Sequence, residues 1–269
     1  MRAGAVAAGS VAAFLGASAL MNRLADKEGN WFALTAYAEG TGGEDNTHLA
    51  LGRLFNGTLG WSGGPESEFI MVNTVLDLTC TGANVRTITY SLEGDNVIAE
   101  QGLRMESGLA SRQGIWIHWP GGSVQSYTVP YDEQVRADTT GSDYRVYANA
   151  PLGDEMRGLL AQMQDLHDAI STGDEPSEDQ LGQMAELSDR GSVCALEVLA
   201  TELERATLVM TADFSDGSAQ TKRYAFSTRE GYAQIYASHL EEMASAEPER
   251  AEALRTNPPS LFCLTELAE

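Results

Sequence analysis

Gly60-Trp61-Ser62-Gly63-Gly64 follows the pattern G-x-S-x-G, which in serine hydrolases places a nucleophilic hydroxyl on a strained turn. The chemistry it suggests is acyl transfer. Asp132 and then His167 or His239 follow Ser62 in the order of an α/β-hydrolase triad. A nucleophile elbow must leave a buried strand and open a helix, because the helix N-terminus helps to build the oxyanion site. Here "RLFNGTL" is a poor core strand, Pro65 follows, and "SEFIMVNTVLDL" reads as strand. The motif in this setting is expected to be a glycine-rich surface loop, with an exported serine hydrolase using Ser62 as the alternative. No catalytic residue is assigned.

The four histidines are His48, His118, His167 and His239, and none stands at H-x-H or H-x-x-x-H spacing, so a zinc site has no local seed. His239 and His167 flank the apolar stripes of two amphipathic segments and are expected to be packing residues. His118 alternates with apolar residues in "IWIHWP" between Trp116 and Trp119, a grouping that suits either a sugar-binding surface or edge packing. The acidic runs "GTGGEDN", "STGDEPSED" and "DFSDGS" lack the D-x-[DN]-x-[DN]-G order of a calcium loop and read as solvated turns. No phosphate-binding or dinucleotide motif is present, so the chain is read as having no metal and no cofactor. Cys80, Cys194 and Cys263 are an odd set with no metal-type spacing, compatible with one disulfide and a free thiol or with three unpaired thiols.

The elements that would carry these residues are legible from period and punctuation. "NWFALTAYAEG" alternates as a strand with both faces covered. "FIMVNTVLDLTC", "NVRTITYSLEG", "GIWIHWP", "GSVQSYTVPY" and "DYRVYANA" follow at short spacing with no helix-length crossovers, which indicates an antiparallel sandwich or barrel. From Pro151 the period becomes helical: Met156, Leu159, Leu160, Met163, Leu166 and Ile170 form one stripe. Ser177 to Gln180 reads as a capping box opening a second helix, interrupted near Gly191 and resuming to about Leu203. "TLVMTADFSDGSAQTKRYAFS" reads as a hairpin turning at Asp216-Gly217. Ser227 to Glu230 reads as another capping box, opening a helix with Tyr232, Ile235, Tyr236, Leu240 and Met243 on its apolar stripe; "SLFCLTEL" closes the chain as a strand. The expected fold class is α+β: residues 30–269 form one β-rich, sandwich-like domain with a helical insertion near 151–203 and a C-terminal helix. A β domain to about residue 150 followed by an α+β domain is the alternative.

Charge and the N-terminus bound the location. From Ala3 to Asn22, twenty residues pass without a charge between Arg2 and Arg23, about 30 Å as a helix and enough to cross a bilayer core. Residues 1–24 are read as a signal peptide, with Ala17-Ser18-Ala19 as a cleavage site, or as an uncleaved anchor; a buried Ala-rich core helix is the remaining possibility. The small positive-inside bias directs the N-terminus to the cytoplasm and the body outside. The formal charge is −22, with Lys27 and Lys222 the sole lysines. Such a surface repels phosphate-rich nucleic acid and anionic lipid headgroups. The body is thus expected to meet a protein or a small ligand, and the membrane only through the N-terminal segment.

In the order of its features the chain resembles a loose group of uncharacterised extracytoplasmic proteins of Gram-positive bacteria. The residues that carry the resemblance are the apolar N-terminal segment, "NWFALTAYA", "VRTITYSLEGD", "SYTVPYDEQ" and "MTADFSDGSAQTKRYAF". It implies a tethered or exported β-rich body. In some of the group the membrane segment follows a cytoplasmic anti-sigma-type region, which implies envelope signalling, and no catalytic residues are associated with them.

Overall fold

The structure is a computed structural model that describes residues 29–36, 48–51, 59–76, 78–101, 103–105, 108–110, 125–133, 144–171, 175–256 and 258–268. The apolar segment before residue 29, the "GTGGEDN" run and "GIWIHWP" with His118 lie outside the described residues. No helix among the described residues is long and apolar enough to cross a membrane.

In chain order the strands are β1 (Trp31–Ala36), β2 (His48–Leu51), β3 (Gly60–Ser62), β4 (Phe69–Leu76), β5 (Leu78–Ala83), β6 (Val85–Glu93) and β7 (Val97–Gln101). The short β8 (Leu103–Met105) and β9 (Gly108–Ala110) pair with each other, and β10 (Gln125–Pro130) and β11 (Tyr144–Pro151) follow. Helices α1 (Asp154–Ser171) and α2 (Glu178–Leu203) come next, then the hairpin β12 (Thr207–Phe214) and β13 (Ala219–Thr228). Helices α3 (Tyr232–Ser245) and α4 (Pro248–Thr256) precede the last strand, β14 (Phe262–Glu266). Helices combined with antiparallel sheets make the chain α+β.

Three antiparallel assemblies carry the core. A six-stranded sheet runs β10-β6-β12-β13-β14-β2, a four-stranded sheet runs β3-β4-β11-β7, and β1 pairs with β5 as a ribbon. The larger sheet is amphipathic by strand alternation. Ile88, Tyr90 and Leu92 of β6 lie buried, with Leu208, Met210 and Phe214 of β12 and Tyr224 and Phe226 of β13. The opposite face is polar: Thr87 donates to Asp213 at 2.8 Å, and the Thr89–Thr128 and Thr211–Thr221 hydroxyl pairs meet at 2.7 and 2.9 Å. The chain passes from one sheet to the other between β6 and β7. At that corner a Cβ on Gly94 would stand 2.6 Å from the Val97 side chain and 3.2 Å from Ala206, so glycine is required by space.

Several expectations are corrected. "FIMVNTVLDLTC" is two strands, since β4 pairs with β11 and β3 while β5 pairs with β1. One face of β1 is buried through Phe32 and Leu34, whereas Trp31 and Ala33 are only half-covered. Ser227 and Thr228 open no helix: they finish β13, paired to Cys263 and Phe262. Thr228 gives both its backbone N–H and its hydroxyl to the Glu204 carboxylate, at 3.0 and 2.6 Å. Helix α3 starts instead after Gly231 in the left-handed conformation, without a side-chain cap. Of the two cysteine arrangements left open, the structure has the one without a disulfide among Cys80, Cys194 and Cys263.

The central correction concerns α2, which is one uninterrupted helix of 26 residues. Its start is the anticipated capping box: the Ser177 hydroxyl accepts from the Gln180 N–H at 3.2 Å, and the Gln180 side chain accepts from the Ser177 N–H at 2.9 Å. Gly191 costs such a helix about 1 kcal/mol relative to alanine, yet it is buried, and a Cβ there would stand 3.1 Å from the Trp61 ring. The glycine admits Trp61 of β3 to the helix surface rather than breaking the helix. Below it, Ala195, Leu196, Leu199, Ala200 and Leu203 are buried, and α2 lies against β3, β4 and β11 of one sheet and β13 of the other. Replacing Gly191 with leucine should therefore cost about 1–3 kcal/mol by overpacking against Trp61. Urea unfolding followed by tryptophan fluorescence checks this; an unchanged midpoint would contradict the Trp61–Gly191 contact.

Candidate functional site

Ser62 is the last residue of β3, exposed, and opposite Met71 of β4. The chain then turns and re-enters the same sheet as β4, so the serine sits in a strand–turn–strand setting rather than at the mouth of a helix. The turn is closed by Ser67, whose N–H donates to the Gly64 carbonyl at 3.0 Å and whose hydroxyl accepts from the Gly64 N–H at 2.9 Å. Arg157 of α1 pins it from outside, its guanidinium donating to the carbonyls of Pro65, Ser67 and Leu152. This is an anchored surface turn.

His167 is exposed, with its Nε2 3.4 Å from Ser171 Oγ one turn along α1, so the packing role expected of it is overturned. It lies on the outer side of a helix whose core contacts are Met156, Leu159 and Leu160. His239 is half-buried on α3, where burial pushes its pKa below the usual 6.5 and the nearby Glu242 charge acts in the opposite direction. The backbone of His48 lies in β2, and Asp132 is exposed in the short 3-10 turn Tyr131–Glu133.

The acidic turn at the β12–β13 hairpin is occupied by the protein's own donors. At the hairpin tip Asp216 Oδ1 accepts from the Ser218 N–H at 2.9 Å and hydroxyl at 2.7 Å, while Asn30 Nδ2 donates to Oδ2 at 2.7 Å. These bonds, the Ser218 hydroxyl foremost, hold the Asp216 carboxyl below its ordinary range. Glu178 and Asp179 sit in the first turn of α2, where carboxylates complement the helix dipole. Among the described residues no group of three or more His, Cys, Asp or Glu is placed to hold a metal ion.

A concave surface does form, at a place the sequence did not single out. Helices α2 and α3, with Glu155 of α1, line an open groove of about 730 Å³. Its apolar floor is Val193 and Leu240 with Ala185, Ala237 and Ala244. Five carboxylates, Glu155, Glu186, Asp189, Glu197 and Glu241, face it against one cation, Arg190. None of the five makes an ion pair within the described residues. No motif in the sequence marks these acids, and only the packing of α1 and α3 on α2 shows that they share a border.

The electrostatics of the groove follow from this crowding. Burial first, then the Glu155 and Glu197 charges, push the Cys194 thiol up to about 11, and the thiol is hydrogen-bonded to the Glu155 carboxylate. At neutral pH it is protonated and a poor nucleophile. Asp189 is raised by burial. Beneath the groove the Tyr236 hydroxyl, bonded to Ser192, rises to about 12, chiefly through burial with the Asp189 charge adding to it. The site thus offers shape, apolar contact and negative potential, without an activated nucleophile among its lining side chains.

Compared with known protein families, curated proteins and solved structures, the chain matches none of them.

A pH dependence follows from His239. Its folded pKa lies below its unfolded value, so the folded state prefers the neutral ring. That contribution is complete above pH 6.5 and is lost as the pH falls through 6.5 toward the folded pKa. The unfolding free energy of the wild type minus that of His239→Gln should therefore shrink between pH 7.5 and pH 5.5, measured by urea titration at both. A difference that stays constant or grows would contradict the burial of the ring.

Proposed function

We propose that this chain is a non-enzymatic binding or sensing domain, tethered to the membrane or exported by its N-terminal apolar segment, with a sandwich-like β body outside the cytoplasm. The observation that carries the binding role is the α2–α3 groove, in which an apolar floor is bordered by carboxylates with no ion-pair partners among the described residues. Such a surface has unspent attraction for a partner. The sheets and the buried half of α2 supply a rigid base for it, as recognition surfaces require. The extracytoplasmic placement is supported by the uncharged run between Arg2 and Arg23 and by the resemblance described above.

The competing reading, an exported hydrolase using Ser62, is supported by the G-x-S-x-G spacing alone. It needs a base beside the hydroxyl and an oxyanion site at a helix N-terminus. The residue instead leads through a pinned turn into β4. Purified full-length protein treated with a fluorophosphonate probe should remain unlabelled. Stoichiometric labelling that disappears in Ser62→Ala would overturn the binding-domain reading and establish the hydrolase.

A further inference from the structure

We propose that the α2–α3 groove receives an amphipathic, Lys/Arg-rich helix of a partner protein, which packs against α2 and α3 beside Glu155 of α1. The inference rests on the binding-domain reading and names the class of partner.

The lining is periodic. From Gly182 to Glu197 the lining positions of α2 recur every three or four residues over four helical turns, roughly 22 Å of helix. Along α3, Ala237, Leu240, Glu241 and Ala244 repeat the same spacing. Two helices that each turn an i, i+3, i+4 stripe toward one groove present the surface that a third helix fills by ridge-into-groove packing. The residues nearest the occupant are small: Ala185, Ala237 and Ala244 allow a close backbone approach, and a Cβ at Gly182 would meet nothing within 4 Å.

The border is acidic. An occupant that is only apolar would fill the floor and leave five carboxylates against one guanidinium at the border. Lys and Arg side chains flanking an apolar stripe reach such a border while their stems cover the floor. Charge also decides against the other occupants. A second copy would bring a like-charged acidic border to this one, on a chain of formal charge −22, and nucleic acid would bring phosphates. Recognition of this kind follows the helix-in-groove mode, with apolar anchors at i, i+3, i+4 and i+7.

The test is calorimetric titration of the full chain with a synthetic peptide of about 18 residues, roughly 27 Å as a helix, carrying Leu at i, i+3, i+4 and i+7 and Lys elsewhere. A peptide of the same composition scrambled to abolish the stripe serves as control. The double variant Glu186→Lys/Glu241→Lys reverses two border charges. Glu66→Lys/Asp165→Lys changes net charge equally at exposed positions outside the lining, and circular dichroism verifies that both variants fold. The expected result is saturable one-to-one binding of the striped peptide, weakened at least tenfold by the border pair and less than threefold by the distal pair. Equal weakening by both pairs, equal binding of the scrambled peptide, or no binding would overturn the proposal. Sedimentation showing a dimer that the border pair dissolves would also overturn it and assign the groove to a second copy. If the peptide fails while the fluorophosphonate leaves Ser62 unlabelled, only the partner class is wrong; if Ser62 is labelled, the binding-domain reading itself falls.

Discussion

Everything in this structure leans on the burial of one side of α2. Leu196, Leu199 and Leu203 are each 0% exposed, and fully burying a leucine contributes about 1.5–3 kcal/mol relative to leaving it in water. The same helix face reaches strands of both large sheets, so a single element joins surfaces that strand pairing alone leaves separate. Its last turn is fixed by polar contacts. Glu202, almost fully buried, accepts from Asn96 Nδ2 at 3.0 Å at the corner between the sheets and from Arg205 at 3.1 Å. Glu204 holds the end of β13. A buried carboxylate is tolerated only when its oxygens are satisfied, and here they tie the helix end to the strands around it.

The outer side of the same helix has the opposite character, and the two are linked. Both α1 and α3 pack against α2, and an open furrow remains along it. The charges along that furrow are of one sign. Burial raises Asp189, and burial with the Glu155 and Glu197 charges raises the Cys194 thiol. Cys194 stays protonated in this furrow, and Ser62 lies outside its lining.

What the sequence made legible was local. The Asp216-Gly217 turn follows from a glycine at φ 87° and an aspartate that bonds its own loop. The start of α2 follows from the reciprocal Ser177–Gln180 bonds, and α1 from its apolar spacing. What stayed hidden was set by distant partners. Gly191 reads as a helix breaker until Trp61 is placed against it, and Ser227-Thr228 reads as a cap until Glu204 and β14 claim the strand. The largely apolar run from Phe69 to Cys80 conceals a change of sheet, because periodicity does not record which strand pairs with which. The groove was illegible for the same reason: its carboxylates are ordinary surface acids on three helices until packing brings them to one border.

Helix α2 is the element that both sheets share, and native-state amide hydrogen exchange measures that directly. Amides from Ala195 to Leu203 should exchange only through global unfolding, with the same free energy and denaturant dependence as those of β6 and β12. Exchange of these helix amides at a lower free energy, while β6 and β12 stay protected, would show that the helix opens with the sheets intact and would contradict the account.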